Sequence, residues 1–134
     1  MFKPDTKVLV VDDFKTMRKL VINALSTMGL TNVTEADDGA AAWPLVEKAV
    51  AEGAPFGLIV SDWNMPQMPG IELLRKVREL EATKGTPFLM VTAEAEQKNV
   101  LEAVKIGVSN YIIKPFSPQG FQEKLQAVYK KHFP

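Results

Sequence analysis

Gly57-Leu-Ile-Val-Ser-Asp62-Trp-Asn-Met-Pro66 is an apolar run that ends in a carboxylate and then in helix-forbidding punctuation. Pro55 precedes it, and Pro66, Pro69 and Gly70 follow. So short a run between such residues cannot be a globular helix and fits a buried strand. Asp62 therefore falls at a strand's carboxyl end. In an open parallel sheet with helices on both faces, ligands bind outside those ends, where the connecting loops converge.

Three other stretches share this grammar. Lys7-Val-Leu-Val-Val11 runs into Asp12-Asp13, Pro87-Phe-Leu-Met-Val91 into Thr92-Ala93-Glu94, and Asn110-Tyr-Ile-Ile113 into Lys114-Pro115. Taken singly, each polar residue has a plain structural reading: Asp13 or Thr92 as a helix cap, Lys114 as a solvated lysine. Taken together, they place three acids, a hydroxyl and an ammonium on one rim of a parallel sheet.

At 134 residues the chain is expected to form one domain, residues 1–134, able to bury a core without staples. Sixteen basic and sixteen acidic residues leave no net charge, so nothing argues for nucleic acid or an anionic membrane surface. With no cysteine there is neither a disulfide framework nor a thiolate metal site. No apolar run reaches membrane-spanning length and the amino terminus lacks a signal peptide's apolar region, so the expected location is cytoplasmic.

The remaining segments read as helices alternating with these strands. From Phe14, a pattern of Met17, Leu20, Val21, Ala24, Leu25 and Met28 predicts a helix ended by Gly29, with Lys15, Arg18, Lys19 and Asn23 on the solvated face. Val33–Ala36 is a second strand. Asp37-Asp38-Gly39 opens a helix near Ala40 that runs to about Glu52, and Pro44 is expected to delay or bend it, since an interior proline costs about 3 kcal/mol. Ile71, Leu73, Leu74, Val77 and Leu80 mark a third helix; Val100, Leu101, Val104 and Ile106 mark a fourth; Phe121, Leu125, Val128 and Tyr129 mark the last, with His132 in a frayed final turn. Five alternations with near-continuous apolar strands predict an α/β, doubly wound, five-stranded parallel sheet with right-handed crossovers.

Asp12, Asp13 and Asp62 carry three negative charges, of which Lys114 returns one. A divalent cation would neutralise the cluster. Mg²⁺, which takes oxygen ligands and is typically held by one or two carboxylates plus phosphate oxygens, suits this inventory. With a single histidine, His132, in the final turn, neither a zinc site nor a Ser/His triad is expected, and no Gly-rich phosphate loop follows the first strand. The set fits a phosphoryl-transfer site with Asp62 as nucleophile and Lys114 and Thr92 holding phosphoryl oxygens.

Val10-Val-Asp-Asp-Phe14, Ser61-Asp-Trp-Asn-Met-Pro66, Met90-Val-Thr-Ala-Glu94 and Tyr111-Ile-Ile-Lys-Pro-Phe116 resemble bacterial two-component receiver domains, most closely those of single-domain chemotaxis regulators. The resemblance covers essentially the whole chain. It implies the flavodoxin-like strand order 2-1-3-4-5, for which this family is itself a stock illustration. It further implies that Asp62 accepts a phosphoryl group from a histidine kinase. Asp13, Asp62 and the Asn64 backbone carbonyl would ligate Mg²⁺, with Asp12 acting through water. Thr92, Lys114 and the Ala93 amide would hold phosphoryl oxygens. Tyr111 would report the state to a partner face that includes Glu94, Val100 and Lys124, and the Lys114–Pro115 bond would be cis.

The implied partners are the kinase, a flagellar motor switch protein or other downstream protein, and a phosphatase, with the chain a monomer that catalyses only its own phosphorylation and dephosphorylation. Within the family, a phosphate sink and a stand-alone phosphorelay receiver are the alternatives. An aspartyl-phosphate hydrolase of another family would carry its nucleophile on the first strand with a second acid two residues later, which Asp12-Asp13 does not offer. Departures from the chemotaxis pattern are Met68-Pro69-Gly70, expected to alter only a turn; Trp43-Pro44 and the segment to Pro55, expected away from the site; and Glu96-Gln97, where chemotaxis relatives often carry lysines.

Overall fold

A computed structural model of the chain describes residues 1–93 and 97–134. The strands are β1 (Val8–Val11), β2 (Val33–Ala36), β3 (Leu58–Asp62), β4 (Phe88–Thr92) and β5 (Asn110–Ile113), alternating with helices α1 (Lys15–Thr27), α2 (Gly39–Ala51), α3 (Gly70–Glu79), α4 (Gln97–Ile106) and α5 (Pro118–His132). All neighbours pair in parallel, in the order β2-β1-β3-β4-β5. The strand order reverses between β1 and β3, which puts the crevice of a doubly wound sheet at the end of these two strands.

Both sheet faces are covered, and this explains the apolar runs of the three central strands β1, β3 and β4. Along β1 the side chains alternate: Leu9 and Val11 join a core with α2 and α3, whereas Val8 and Val10 join a second core with α1 and α5. Each position is desolvated on one side or the other, so the period-2 signal of a half-exposed strand disappears. Register then fixes the rim. Val11 pairs with Ser61, which makes Asp12 level with Asp62; Asp62 pairs with Val91 and Thr92 with Ile113, so Thr92 and Lys114 follow at the same end. The Lys114 amide donates to the Thr92 carbonyl at 2.7 Å, and the Lys114–Pro115 peptide is cis.

Three helices depart from the expected pattern. α2 is not delayed by Pro44: it starts at Gly39, where the Asp38 carboxylate accepts from the Ala41 amide at 2.8 Å. The hydrogen bond Pro44 cannot make is one to the Ala40 carbonyl, and both residues lie on the exposed face, where water can serve that carbonyl. On α1, Leu20 is 51% exposed, while Arg18 turns inward with a side chain only 15% exposed. Arg18 is three and seven residues from the buried Val21 and Leu25, so helical phase puts it on the covered stripe. On α4, Ala103 is buried, and Leu101 and Val104 are 53% and 58% exposed, because the covered stripe passes through Val100, Ala103 and Ile106 instead.

His132 is not frayed. It ends α5 with its Nε2 2.6 Å from the Ser109 hydroxyl, which also accepts from the Phe88 amide at 2.9 Å. Arg78 closes the same end of the sheet by donating to the Gly107 and Thr86 carbonyls at 2.8 and 2.7 Å. A hydroxyl already accepting from Phe88 best donates to an unprotonated Nε2. Burial, followed by the nearby positive charges of Arg78 and Lys131, pushes the imidazole below its ordinary pKa. A depressed folded-state pKa contributes stability above the unfolded value, about 6.5, that is lost as pH falls through the folded one. Urea midpoints should therefore show an acid-side destabilisation that His132→Gln removes. An unchanged pH profile in that variant would contradict the assignment.

Candidate phosphoryl-transfer site

Asp12 is tied down on three sides at the end of β1. Its amide donates to the Ala36 carbonyl at 3.1 Å, its Oδ1 accepts from the Phe14 amide at 2.9 Å, and its carbonyl accepts from Arg18 Nη1 at 2.6 Å. Phe14 is the residue before α1 and has no side-chain cap, so Asp12 rather than Asp13 satisfies that helix start. Asp62 ends β3 with Oδ1 accepting from the Trp63 amide at 2.9 Å. Lys114 Nζ bridges the two acids, 2.9 Å from Asp62 Oδ1 and 3.4 Å from Asp12 Oδ2.

Asp12 and Asp62 are 1% and 5% exposed, and this burial pushes both carboxyls above the ordinary carboxylate range despite the nearby ammonium. Asp12, Asp13 and Asp62 each present an oxygen, and these atoms lie within 4.8 Å of one another. Asp13 Oδ1 is buried and has no hydrogen-bond partner among the described residues. A buried unpaired carboxylate oxygen costs several kcal/mol unless a cation or donor reaches it, and here its carboxylate is grouped with two others. An all-oxygen donor set of this kind fits a hard divalent cation such as Mg²⁺.

The loop after β3 is held close beneath the site. A Cβ on Gly70 would clash with the Asp62 carbonyl oxygen, so any side chain there would push the Asp62 peptide away. The Gly70 amide donates to the Trp63 carbonyl at 2.9 Å, and the Gly39 amide to the Met68 carbonyl at 3.2 Å. The Met68 main chain thus joins the loop to the start of α2. Asn64 lies exposed in this loop, Thr92 is buried at the end of β4, and Ala93 follows it at the surface. Trp43 packs beneath Lys76, 5.5 Å from its Nζ, on the α2–α3 side.

Tyr111 on β5 is half-buried, with Lys124 Nζ 5.2 Å from its ring centroid. Val100 is half-buried on α4, whereas Glu94 and Glu96 lie outside the described residues. Sequence reasoning missed Arg18. The i, i+3, i+7 spacing to Val21 and Leu25 was the available signal, but polarity assigned it to the solvent face.

The β1 and β3 ends thus gather three carboxylates, with an ammonium arriving from β5. The chain belongs to the response regulator receiver domain family, whose model matches residues 8–126. It is 46% identical over 125 residues to the chemotaxis protein CheY of Pseudomonas aeruginosa, covering 93% of this chain and 97% of that one. It is 45% identical to CheY-3 of Vibrio cholerae over 93% of this chain and 92% of that protein. Among solved structures, CheY4 of Vibrio cholerae superimposes with a TM-score of 0.78 at 37% identity, over 92% of this chain and 98% of that one. No helix of the described residues is long and apolar enough to cross a membrane.

Proposed function

We propose that this chain, as a monomeric receiver unit spanning residues 1–134, accepts a phosphoryl group on Asp62 from a histidine kinase and thereby changes its affinity for a downstream protein. One observation carries the reading: the Asp62 carboxylate, 2.9 Å from the Lys114 ammonium, shares a cluster of carboxylate oxygens within 4.8 Å of one another with Asp12 and Asp13. Asp62 attacks phosphorus and forms an acyl phosphate as the kinase imidazole leaves with the bonding pair. The two donors on Asp62 Oδ1 fix the plane of the nucleophile before the donor arrives. Lys114, Thr92 and the Ala93 amide then hold the phosphoryl oxygens.

Asp13, Asp62 and the Asn64 carbonyl would hold Mg²⁺, with Asp12 reaching it through water. The ion supplies electrostatic stabilisation of the transferring group and offsets repulsion between the buried acids. The curated relatives are named chemotaxis proteins, which supports a cytoplasmic chemotaxis regulator whose target is the flagellar motor switch. Removal of the phosphoryl group, with or without a phosphatase, would reset it.

The switch runs through Thr92 and Tyr111. If the Thr92 hydroxyl is drawn toward a phosphoryl group on Asp62, it vacates space into which the Tyr111 ring can turn, altering the surface that includes Val100 and Lys124. A ligand shifts such an equilibrium only by its differential interaction with the two states. Moving from 1:99 to 99:1 requires about 5.5 kcal/mol, more than one hydroxyl contact supplies, so partner binding completes the shift. The test is phosphotransfer from candidate kinases, followed by binding to motor-switch components with and without phosphorylation. Tyr111→Ala should leave phosphorylation of Asp62 nearly intact while narrowing the affinity ratio between the two forms. A wild-type ratio in that variant would make Tyr111 a packing residue.

A further inference from the structure

Arg18 has no place in the phosphoryl-transfer scheme, yet it is the one side chain of α1 hydrogen-bonded to the backbone of the acidic rim among the described residues. Its Nη1 donates to the Asp12 carbonyl at 2.6 Å and its Nε to Glu35 Oε1 at 3.0 Å. Glu35 is on β2, so the guanidinium links α1, the β1–α1 loop and the sheet's edge strand. The carbonyl it holds belongs to the Asp12–Asp13 peptide. A peptide is planar, so fixing that oxygen sets the plane from which the Asp13 Cα departs. Asp13 is the residue whose buried Oδ1 lacks a partner among the described residues.

We propose that Arg18 is a positioning residue: by gripping the Asp12 carbonyl against Glu35, it fixes the Asp12–Asp13 peptide so that the Asp13 carboxylate faces the cation. This rests on the Mg²⁺ reading of the site. The planar guanidinium suits the task because its donors leave in fixed directions, whereas a lysine offers one point charge.

The role can be separated from simple electrostatics by the sign of its effect. Arg18 is a cation beside a cation site, so removing only its charge would tighten Mg²⁺ binding, and removing the Glu35 charge would weaken it. Positioning predicts the reverse for arginine and no change for a glutamate variant that keeps its acceptor. Residues that orient metal ligands typically affect metal affinity by 10- to 100-fold.

Calorimetric titration of Mg²⁺ into the wild type, Arg18→Gln, Arg18→Lys and Glu35→Gln gives the dissociation constants directly. Urea unfolding without metal reports whether each variant is folded. Arg18→Gln should weaken Mg²⁺ binding by about tenfold or more, Arg18→Lys should weaken it in spite of its retained charge, and Glu35→Gln should bind as the wild type does. Unchanged or tighter binding in folded Arg18→Gln, or full rescue by lysine, would overturn the assignment. Absence of Mg²⁺ binding in the wild type would instead overturn the reading of the site on which it rests.

Discussion

Saturating Mg²⁺ should raise the unfolding free energy of this protein, and Asp13→Ala should lose most of the gain. At a magnesium concentration about 100 times its dissociation constant, linkage gives roughly 2.7 kcal/mol. The effect follows from three carboxylates with oxygens within 4.8 Å of one another, one of which, Asp13, also has a buried Oδ1 without a hydrogen-bond partner among the described residues. Removing Asp13 deletes both a like charge and that unsatisfied atom, so the variant should be at least as stable as the wild type without metal. Urea denaturation of both proteins with and without Mg²⁺ separates the two effects. A variant that kept the full stabilisation would remove Asp13 from the proposed ligand set.

The second large effect is on chemistry. Incubated with a small-molecule phosphodonor and Mg²⁺, the wild type should take up one phosphoryl group and Asp62→Asn none, because an amide is not a competent nucleophile. Lys114→Arg tests a different property. The charge persists but its shape changes, so phosphorylation should proceed while the change in partner affinity is poor. Failure to phosphorylate would place Lys114 in the transfer step rather than in reading its product.

The strand ends were the legible part of the sequence. Asp12, Asp62, Thr92 and Lys114 each terminate a run that must be strand, and in a parallel sheet such termini share one rim whatever the strand order. The order itself is not encoded in alternation; it came from the family resemblance carried by the motifs. Less legible were residues whose type and helical phase disagree. Arg18 lies in phase with Val21 and Leu25, and Leu101 and Val104 lie out of phase with Ala103. Polarity misassigned all three, since a helix beside a crevice can bury a guanidinium that finds carbonyl and carboxylate partners, and α4 leaves two apolar side chains at the surface. The contact of His132 with Ser109 pairs residues 23 positions apart through tertiary packing, and no local signal announces it.

The proposed function stands on Asp62 becoming phosphorylated in a site assembled around a divalent cation. Mass spectrometry of the intact protein after exposure to a small-molecule phosphodonor, with and without Mg²⁺, followed by peptide mapping after borohydride reduction of the acyl phosphate, tests both halves together. The expected result is a single adduct, dependent on Mg²⁺ and located at Asp62. An adduct on another residue, or one at Asp62 that forms equally well without Mg²⁺, would contradict it.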